Sequence, residues 1–298
     1  MTGKTHTIIN FVKLVKKCKY YSINKGFWQE LLFYLKFTIF KPVLATVFSV
    51  DARDWKRYTG SSMMRHRFFT NLDLSGETIR LLEREQIQQM SRVLQLKVGE
   101  EIILFNGTGE EVAGRITILR AKEIEIAVSR RQQNTNEPAQ RVVLYSAILK
   151  RDNFEWVVQK ATEVGVAAIV PVVTERTVKR GLSFERLRKI AIEAAEQSGR
   201  AVVPEIHEAM DLPRAFAEAE NLFGTSIFLD FCDKSLTAED CRLSSSKNIA
   251  LFIGPEGGWS ETERMLAEEK KFLIRSLGKT TLRAETAAII ASYFATHL

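Results

Sequence analysis

Beyond residue 138, short apolar segments alternate with amphipathic ones, and this rhythm restricts the fold more than any other feature of the chain. Strands that alternate with helices form a parallel sheet covered by helices on both faces, with ligand sites beyond the C-terminal ends of the strands. The sequence therefore predicts an α/β fold. The predicted strands are residues 142–149, 167–173, 227–231, 249–253 and 272–277, and the main predicted helices are residues 184–197, 212–220 and 285–297.

Two segments near the C-terminus, residues 253–261 and 277–287, each run from an apolar strand through a glycine-bearing turn into a helix. Glycine accepts positive φ angles and lets backbone groups approach a ligand that a Cβ atom would keep away. A phosphate-binding loop is disfavoured, because no Lys-Ser/Thr pair follows Gly257 and Gly258 and no strand leads into a Gly-x-Gly-x-x-Gly pattern. The two segments predict a small-molecule pocket built from main-chain groups, with two tight turns that bind nothing as the alternative.

Two helix starts carry their own signals. Residues 152–155 are predicted to cap a helix that contains Trp156, and Ser260 with Glu263 forms the pattern of a capping box. The last predicted helix, residues 285–297, interleaves alanines with large apolar residues. Such a helix packs in the core or approaches a second helix closely, and its sequence is compatible with both.

Residues 68–131 have the pattern of a small β-rich unit. A strand at residues 101–105 leads into the turn sequence Asn-Gly-Thr-Gly, and residues 112–119 and 124–128 then alternate apolar with polar side chains. We expect a small β-barrel with a helix, residues 85–93, lying on it. Residues 132–138 are polar and rich in turn formers, so they are the predicted domain boundary.

The net charge of +7 is concentrated at the N-terminus. Residues 1–63 contain eleven Lys or Arg and three acidic residues, whereas residues 64–298 contain 32 basic and 33 acidic residues. Composition therefore gives no support for nucleic-acid binding by the main body of the chain. Residues 1–63 are interpreted either as sequence upstream of a true start at Met63 or Met64, or as a basic appendage that contacts membrane or RNA.

The cysteines and the apolar stretches indicate where the protein acts. Cys18, Cys232 and Cys241 form no Cys-x-x-Cys pair and lack the histidine spacing of a zinc site. We expect a cytoplasmic protein that holds no metal. Residues 27–50 are apolar but interrupted by charged residues and a proline, so they fall short of the roughly 20 apolar residues that span a bilayer. Membrane contact is expected only if the N-terminal residues form an interfacial amphipathic helix.

Two further segments, residues 159–166 (QKATEVGV) and 196–200 (EQSGR), complete a recognisable set of motifs. With the two glycine-bearing loops, they resemble the ribosomal RNA small subunit methyltransferase E family over about residues 64–298. That family belongs to the SPOUT methyltransferases. The resemblance implies a trefoil-knotted parallel-sheet domain at residues 139–298, preceded by a PUA-like β-barrel at residues 64–138 that docks RNA, and a homodimer paired through the last helix.

The resemblance also implies an activity. The family uses S-adenosyl-L-methionine to methylate N3 of a specific uridine in 16S rRNA of the small ribosomal subunit. The methyl group of this sulfonium is already activated, so no metal is required. The residues that the resemblance assigns to the cofactor are Leu229, Ile253, Gly254, Pro255, Glu256, Gly257, Gly258, Leu277, Gly278, Leu282, Arg283 and Thr286.

Methylation at N3 requires that this nitrogen lose its proton, which spreads negative charge onto the neighbouring carbonyl oxygens. A cation that stabilises this charge and a carboxylate that accepts the proton would lower the barrier. Arg283 is the predicted cation, and Glu285 or Glu256 is the predicted carboxylate. As an alternative, Arg283 fixes its loop by binding carbonyl groups, and Glu285 stabilises the N-terminus of a helix.

Arg67, Arg151 and Arg200 are the predicted RNA contacts, with solvated helix positions as the alternative interpretation. The chain departs from the family pattern at residues 279–281, where another Arg is usual, and at Ala284, where Thr is usual. This departure keeps two other functions open. One is an inactive SPOUT-fold protein that binds RNA or assists ribosome assembly, and the other is a SPOUT methyltransferase that acts on another RNA, such as the ribose of transfer RNA.

Overall fold

The computed structural model describes residues 66–177, 181–242 and 248–297. The predicted basic extension at residues 1–63 lies outside these ranges, and its two interpretations stay open. None of the helices within the described ranges combines the length and the apolar character needed to cross a membrane.

Five strands form the N-terminal sheet, in the order β1-β3-β4-β5-β2. The first strand pairs parallel with the third, and the other pairs are antiparallel. Among the described residues this sheet is open and mixed. Its edge strands β1 and β2 do not pair with each other, so the strands do not close into the predicted barrel. The strands are β1 (His66–Phe69), β2 (Thr78–Leu81), β3 (Glu101–Phe105), β4 (Glu110–Arg120) and β5 (Glu123–Gln133).

The helix expected at residues 85–93 divides into two parts. Helix α1 covers Arg84–Gln88, and Gln89–Val93 is a π-helical turn. The Ser91 hydroxyl donates to the carbonyl of Ile87 at 2.6 Å, so a side chain competes for a backbone acceptor at this point. The wider turn carries Val93 away from the core: Met90 is buried as predicted, but Val93 is 74% exposed.

The second sheet is parallel throughout, as the strand and helix rhythm predicted. Its order is β12-β10-β11-β6-β7-β8, and β9 also pairs with β7. The order places β10 and β11 side by side, so the loops that follow them meet at one edge of the sheet. The strands are β6 (Arg141–Ala147), β7 (Ala168–Val173), β8 (Glu205–Ile206), β9 (Met210–Asp211), β10 (Thr225–Leu229), β11 (Asn248–Ile253) and β12 (Leu273–Arg275).

Helices cover both faces of this sheet. Alternate side chains of one strand enter different cores: Val142 and Leu144 pack on one face, and Val143 and Tyr145 on the other. Helices α2, α3, α5 and α7 cover the first face, and α4 and α6 cover the second. Their bounds are α2 (Arg151–Glu163), α3 (Phe184–Ser198), α4 (Leu212–Leu222), α5 (Ala238–Arg242), α6 (Glu261–Glu269) and α7 (Ala284–His297).

One of the two predicted helix starts is confirmed. Ser260 and Glu263 form the capping box at the start of α6. The cap predicted at residues 152–155 is wrong, because α2 already begins at Arg151 and Lys150 occupies its N-cap position without a side-chain cap. Asp152 instead lies within the first turn, where its charge is favourable to the helix dipole.

Candidate active site

A cavity of about 500 Å³ lies beyond the C-terminal ends of β10, β11 and β12. This volume is in the range of small-molecule sites, and the position is the one expected for a parallel α/β sheet. Two segments supply most of its wall and are named here the first loop, residues 254–260, and the second loop, residues 276–283. Phe231 of the β10–α5 connection and Lys150 before α2 complete the rim.

The first loop is held closely against the sheet. The indole Nε1 of Trp259 donates to the carbonyl of Leu229 at 2.8 Å, so the loop is tied to the end of β10. A Cβ atom at Gly254 would lie 3.0 Å from the Trp259 ring, so a side chain there would press on the ring. Gly258 adopts a φ of 70° and donates its N–H to the carbonyl of Pro255 at 2.9 Å. Both positions therefore favour glycine.

A second attachment joins the first loop to the segment after β7. Arg176 donates to the carbonyl of Gly257 at 2.7 Å, and the Glu175 N–H donates to Glu263 at 2.8 Å. Gly257 itself does not line the cavity, and a Cβ there would make ordinary contact with Arg176 at 3.4 Å. The loop is thus positioned from both β7 and β10.

The second loop is attached to the connection that follows β10. The N–H of Ser276 donates to the carbonyl of Lys234 at 2.9 Å, and the N–H of Leu236 donates to the carbonyl of Ser276 at 2.8 Å. Gly278 has a φ of 120°, a conformation that residues with a side chain rarely adopt. The two predicted glycine loops therefore share one cavity, which opens between them.

A buried ion pair supports the floor of the cavity. Arg275 donates to both carboxylate oxygens of Asp240, at 2.9 and 2.6 Å, and also lines the cavity. The hydrogen bonds from Arg275, together with those from Thr237, hold the pKa of Asp240 below its ordinary value although burial opposes this. Bidentate Arg–carboxylate pairs of this kind fix geometry as well as charge.

The lowered pKa of Asp240 predicts an acid-dependent loss of stability. A carboxylate whose folded pKa lies below its unfolded value stabilises the fold above the unfolded value, here near 3.8, and loses that contribution as the pH falls through the folded pKa. We expect the difference in unfolding free energy between wild type and Asp240→Asn to be full at pH 7 and to shrink below about pH 4. Urea denaturation at several pH values measures it, and a difference that is constant down to about pH 3 would contradict the assignment.

The predicted catalytic residues lie at the cavity in different environments. Arg283 is 86% exposed, with Nη1 4.0 Å from Oε1 of Glu285. The Glu285 side chain is buried, and among the described residues its Oε2 atom has no hydrogen-bond partner. Glu256 accepts a 3.3 Å hydrogen bond from the N–H of Lys150. All three residues line the cavity, and of the two carboxylates Glu285 is buried with an unpartnered oxygen, whereas Glu256 is exposed.

Arg200, a predicted RNA contact, is 3% exposed. Its guanidinium donates to Glu137 and to the carbonyls of Thr162 and Val166, at distances between 2.8 and 3.3 Å. The side chain is thus fully used inside the protein. This geometry favours a structural role, so contact between Arg200 and RNA stays a prediction that burial disfavours.

Arg67 lies next to this ion pair and is also enclosed. It donates to Glu111 at 2.8 Å and to the Arg200 carbonyl at 3.0 Å, and its guanidinium lies over the Phe105 ring. Burial alone would raise the pKa of Glu111, but hydrogen bonds from Asn134, Gln132 and Arg67 hold it below its ordinary value. Arg67 and Arg200 therefore join the N-terminal sheet to α3 and the parallel sheet, and contact between Arg67 and RNA also stays a prediction.

Arg151 is the first residue of α2, next to Lys150 on the rim.

Most residues that the motifs assigned to a ligand meet in this cavity. Gly257 and Thr286 do not line it. Sequence reasoning overlooked Asp230, Phe231 and Arg275, whose place in the wall depends on which strands are neighbours in the sheet, and it did not single out Trp259 within the first loop. Asp230 and Phe231 stand at the C-terminal end of the predicted strand 227–231, and this position is the signal that could have found them. The predicted residues that line the cavity are Leu229, Ile253, Gly254, Pro255, Glu256, Gly258, Leu277, Gly278, Leu282 and Arg283.

No group of three or more His, Cys, Asp or Glu side chains within residues 66–177, 181–242 and 248–297 is arranged to hold a metal ion.

Residues 135–295 match the family model described as RNA methyltransferase domain. The ribosomal RNA small subunit methyltransferase E of Rickettsia conorii is 32% identical over 233 residues, which cover 77% of this chain and 94% of that relative.

Two solved structures are similar to the whole described region. A ribosomal RNA small subunit methyltransferase E from Neisseria gonorrhoeae, bound to S-adenosyl methionine, has a TM-score of 0.69 and 31% identity, and the match covers 76% of this chain and 95% of that one. A methyltransferase from Legionella pneumophila, in complex with the same cofactor, has a TM-score of 0.67 and 31% identity over 76% of this chain and 95% of that one. With its two glycine loops closing one cavity at the edge of a parallel sheet, the chain belongs to the ribosomal RNA small subunit methyltransferase E family.

Proposed function

We propose that this protein transfers a methyl group from S-adenosyl-L-methionine to N3 of a specific uridine in 16S rRNA of the small ribosomal subunit. The observation that carries the proposal is the cavity, in which two glycine loops present main-chain groups beyond the ends of β10, β11 and β12. The names of the relatives from Rickettsia conorii and Neisseria gonorrhoeae support the reaction and the class of RNA.

The residues of the cavity fit this cofactor. The wall combines apolar side chains such as Leu229, Ile253 and Leu282 with glycines that leave backbone groups open, which suits an adenine ring and a ribose. The buried Oε2 atom of Glu285 has no partner among the described residues, and a carboxylate oxygen suits a cationic ligand. We propose that the two loops and Leu229 hold the cofactor, as their motifs predict. Gly257 and Thr286 do not line the cavity, and we propose that they support the residues that do.

When bound, S-adenosyl-L-methionine supplies a methyl group that its sulfonium has already activated. The chain's own residues then have to orient the uracil and stabilise its anion. Arg283 is exposed and lines the cavity, so we assign it the role of stabilising the charge on the carbonyl oxygens next to N3. Glu285 is the preferred acceptor of the N3 proton because one oxygen has no partner among the described residues, and Glu256 is the second candidate because Lys150 already engages it.

This assignment predicts a loss of turnover when either residue is changed. Arg283→Ala and Glu285→Gln are each expected to lower kcat by about a hundredfold or more, the usual effect of removing an electrostatic stabiliser or a proton acceptor. The control is Glu261→Gln, which removes a carboxylate from the start of α6, away from the cavity. Methyl transfer to small ribosomal subunits measures the effect, and kcat values equal to wild type in both variants would reject these roles.

The proposed fold of the C-terminal domain is a trefoil knot, at residues 139–298. Its support is the path of the last segment: after the edge strand β12, the chain runs beside residues 234–236, and α7 then packs on α2 and on the inner strands β6 and β11. The β10–β11 connection, with α5, lies on the same face as α7. We propose that the last segment passes this connection to reach the inner strands.

The remaining proposals concern partners. We propose that residues 64–138 form a PUA-like RNA-docking module, that Arg151 contacts the RNA, and that the protein works in the cytoplasm. A homodimer paired through α7 is supported by its surface, because Tyr293 is 50% exposed while Ala288, Ala291 and Ala295 are buried against the sheet. The exposed Trp156 of the neighbouring α2 would extend this surface.

Two measurements test the proposed function. Isothermal titration calorimetry of the purified chain with S-adenosyl-L-methionine should show one site, and mass spectrometry of rRNA nucleosides from a deletion strain should show the loss of one 3-methyluridine in 16S rRNA. A folded protein that does not bind the cofactor would reject the enzyme. If the protein binds the cofactor but the deletion strain keeps all its rRNA methyluridines, the second candidate is favoured. That candidate is a SPOUT methyltransferase acting on another RNA, or an inactive assembly protein, and it is suggested by the unusual residues 279–281 and Ala284.

A further inference from the structure

The β10–α5 connection places an exposed aromatic ring at the mouth of the cavity. Phe231 follows β10 by two positions, lines the cavity and is 61% exposed. Within the described ranges three other Phe, Tyr or Trp side chains are exposed, and none of them lines the cavity. They are Trp156 at 53%, Phe184 at 37% and Tyr293 at 50%.

The backbone around this ring is fixed, although the ring is open to solvent. Arg264 donates to the carboxylate of Asp230 at 3.0 Å and to the carbonyl of Phe231 at 3.2 Å. The N–H of Asp230 donates to the carbonyl of Arg275 at 3.0 Å. A single exposed apolar side chain usually has no functional meaning. An exposed ring whose backbone is held on both sides, at the entrance of a cavity, is a preformed surface for a flat ligand.

The charges near the ring indicate the kind of ligand. Arg283 lines the same cavity and is 86% exposed, and Lys150 lines it as well. Cations next to an aromatic face are the combination that binds single-stranded nucleic acid, because bases stack on the ring while the cations neutralise phosphates. An enzyme that modifies a base also has to remove that base from its stack, and aromatic side chains replace the lost stacking.

We propose that Phe231 is the stacking surface for the target nucleobase, holding the base, unstacked from the RNA, over the mouth of the cofactor cavity. This inference rests on the proposed function and adds a substrate-contacting residue to it. Stacking on a phenyl ring tolerates any base, so Phe231 contributes affinity and orientation. The distinction between uracil and other bases then depends on hydrogen-bonding groups such as Arg283 and Glu285.

The kinetic test compares Phe231→Ala, Phe231→Tyr and wild type in methyl transfer to small ribosomal subunits from a strain that lacks the gene. Loss of stacking on one base costs about 1–3 kcal/mol, so kcat/KM of Phe231→Ala should fall about tenfold to a hundredfold. Phe231→Tyr keeps an aromatic face and should retain most of the activity. Leu222→Ala, which removes a side chain 60% exposed at the end of α4 and outside the cavity, is the matched control and should equal wild type.

Three further readouts distinguish base stacking from an effect of Phe231 on cofactor binding or on assembly. Calorimetry should give the same cofactor Kd for Phe231→Ala and wild type, and light scattering the same oligomeric state. Ultraviolet crosslinking of 5-bromouridine-substituted 16S rRNA should attach RNA at Phe231, as located by mass spectrometry. The inference is overturned if Phe231→Ala has the kcat/KM of wild type or binds the cofactor more weakly. It is also overturned if the variant changes the oligomeric state, which would indicate that Phe231 contacts a second copy of the chain. If wild type itself neither binds the cofactor nor methylates RNA, the proposed function fails instead.

Discussion

Replacing Gly278 with valine should weaken the binding of S-adenosyl-L-methionine by about tenfold to a hundredfold, because a strained backbone costs about 1–3 kcal/mol. Gly278 lines the cavity with a φ of 120°, which a β-branched residue avoids by changing the path of the second loop. Calorimetry with the purified full chain measures the change in Kd. Gly278→Ala, with a smaller side chain in the same backbone conformation, should give an intermediate loss.

The matched control for this prediction is Gly181→Val. Gly181 also has open space around its Cβ position, but it does not line the cavity. The variant should bind the cofactor like wild type. Equal Kd values for Gly278→Val and wild type would show that the second loop does not contact the cofactor. Gly257→Val, which the motif alone would suggest, is expected to act more weakly because Gly257 lies behind the cavity wall.

Replacing Arg200 with alanine should lower the free energy of unfolding by about 3–5 kcal/mol, as expected when one member of a buried ion pair is removed. The change leaves the carboxylate of Glu137 without its cation and the carbonyls of Thr162 and Val166 without their donor. Denaturation by urea, followed by circular dichroism, measures the loss. A reduced m-value would indicate that the N-terminal sheet separates before the rest of the chain unfolds.

Arg186→Ala is the control for Arg200→Ala. Arg186 forms a bidentate pair with Glu155, at 2.6 and 2.8 Å, but its side chain is 56% exposed. Exposed pairs contribute about 0–1 kcal/mol, so this variant should remain close to wild type in stability. If Arg200→Ala is as stable as Arg186→Ala, the buried pair is not structural, and the prediction that Arg200 contacts RNA regains support.

Local sequence patterns predicted the secondary structure where interactions between near neighbours decide it. The capping box of Ser260 and Glu263 and the strands on either side of the Asn106–Gly109 turn depend on residues a few positions apart, and they are found as predicted. The start of α2 differs from the prediction, because the backbone reaches helical geometry at Arg151 without a capping side chain. The π-helical turn at Gln89–Val93 also differs from the single helix that periodicity predicted.

The parallel α/β fold and the two glycine loops could be derived from the amino-acid sequence, because strand and helix periodicities and the special φ angles of glycine are properties of neighbouring residues. The folded chain was needed to see that β10 and β11 are adjacent, that Phe231 and Arg275 join the cavity, and that Arg67 and Arg200 are enclosed. These outcomes depend on contacts between residues far apart in the chain. An arginine has the same charge in the sequence whether it faces solvent or a buried carboxylate, and only packing distinguishes the two.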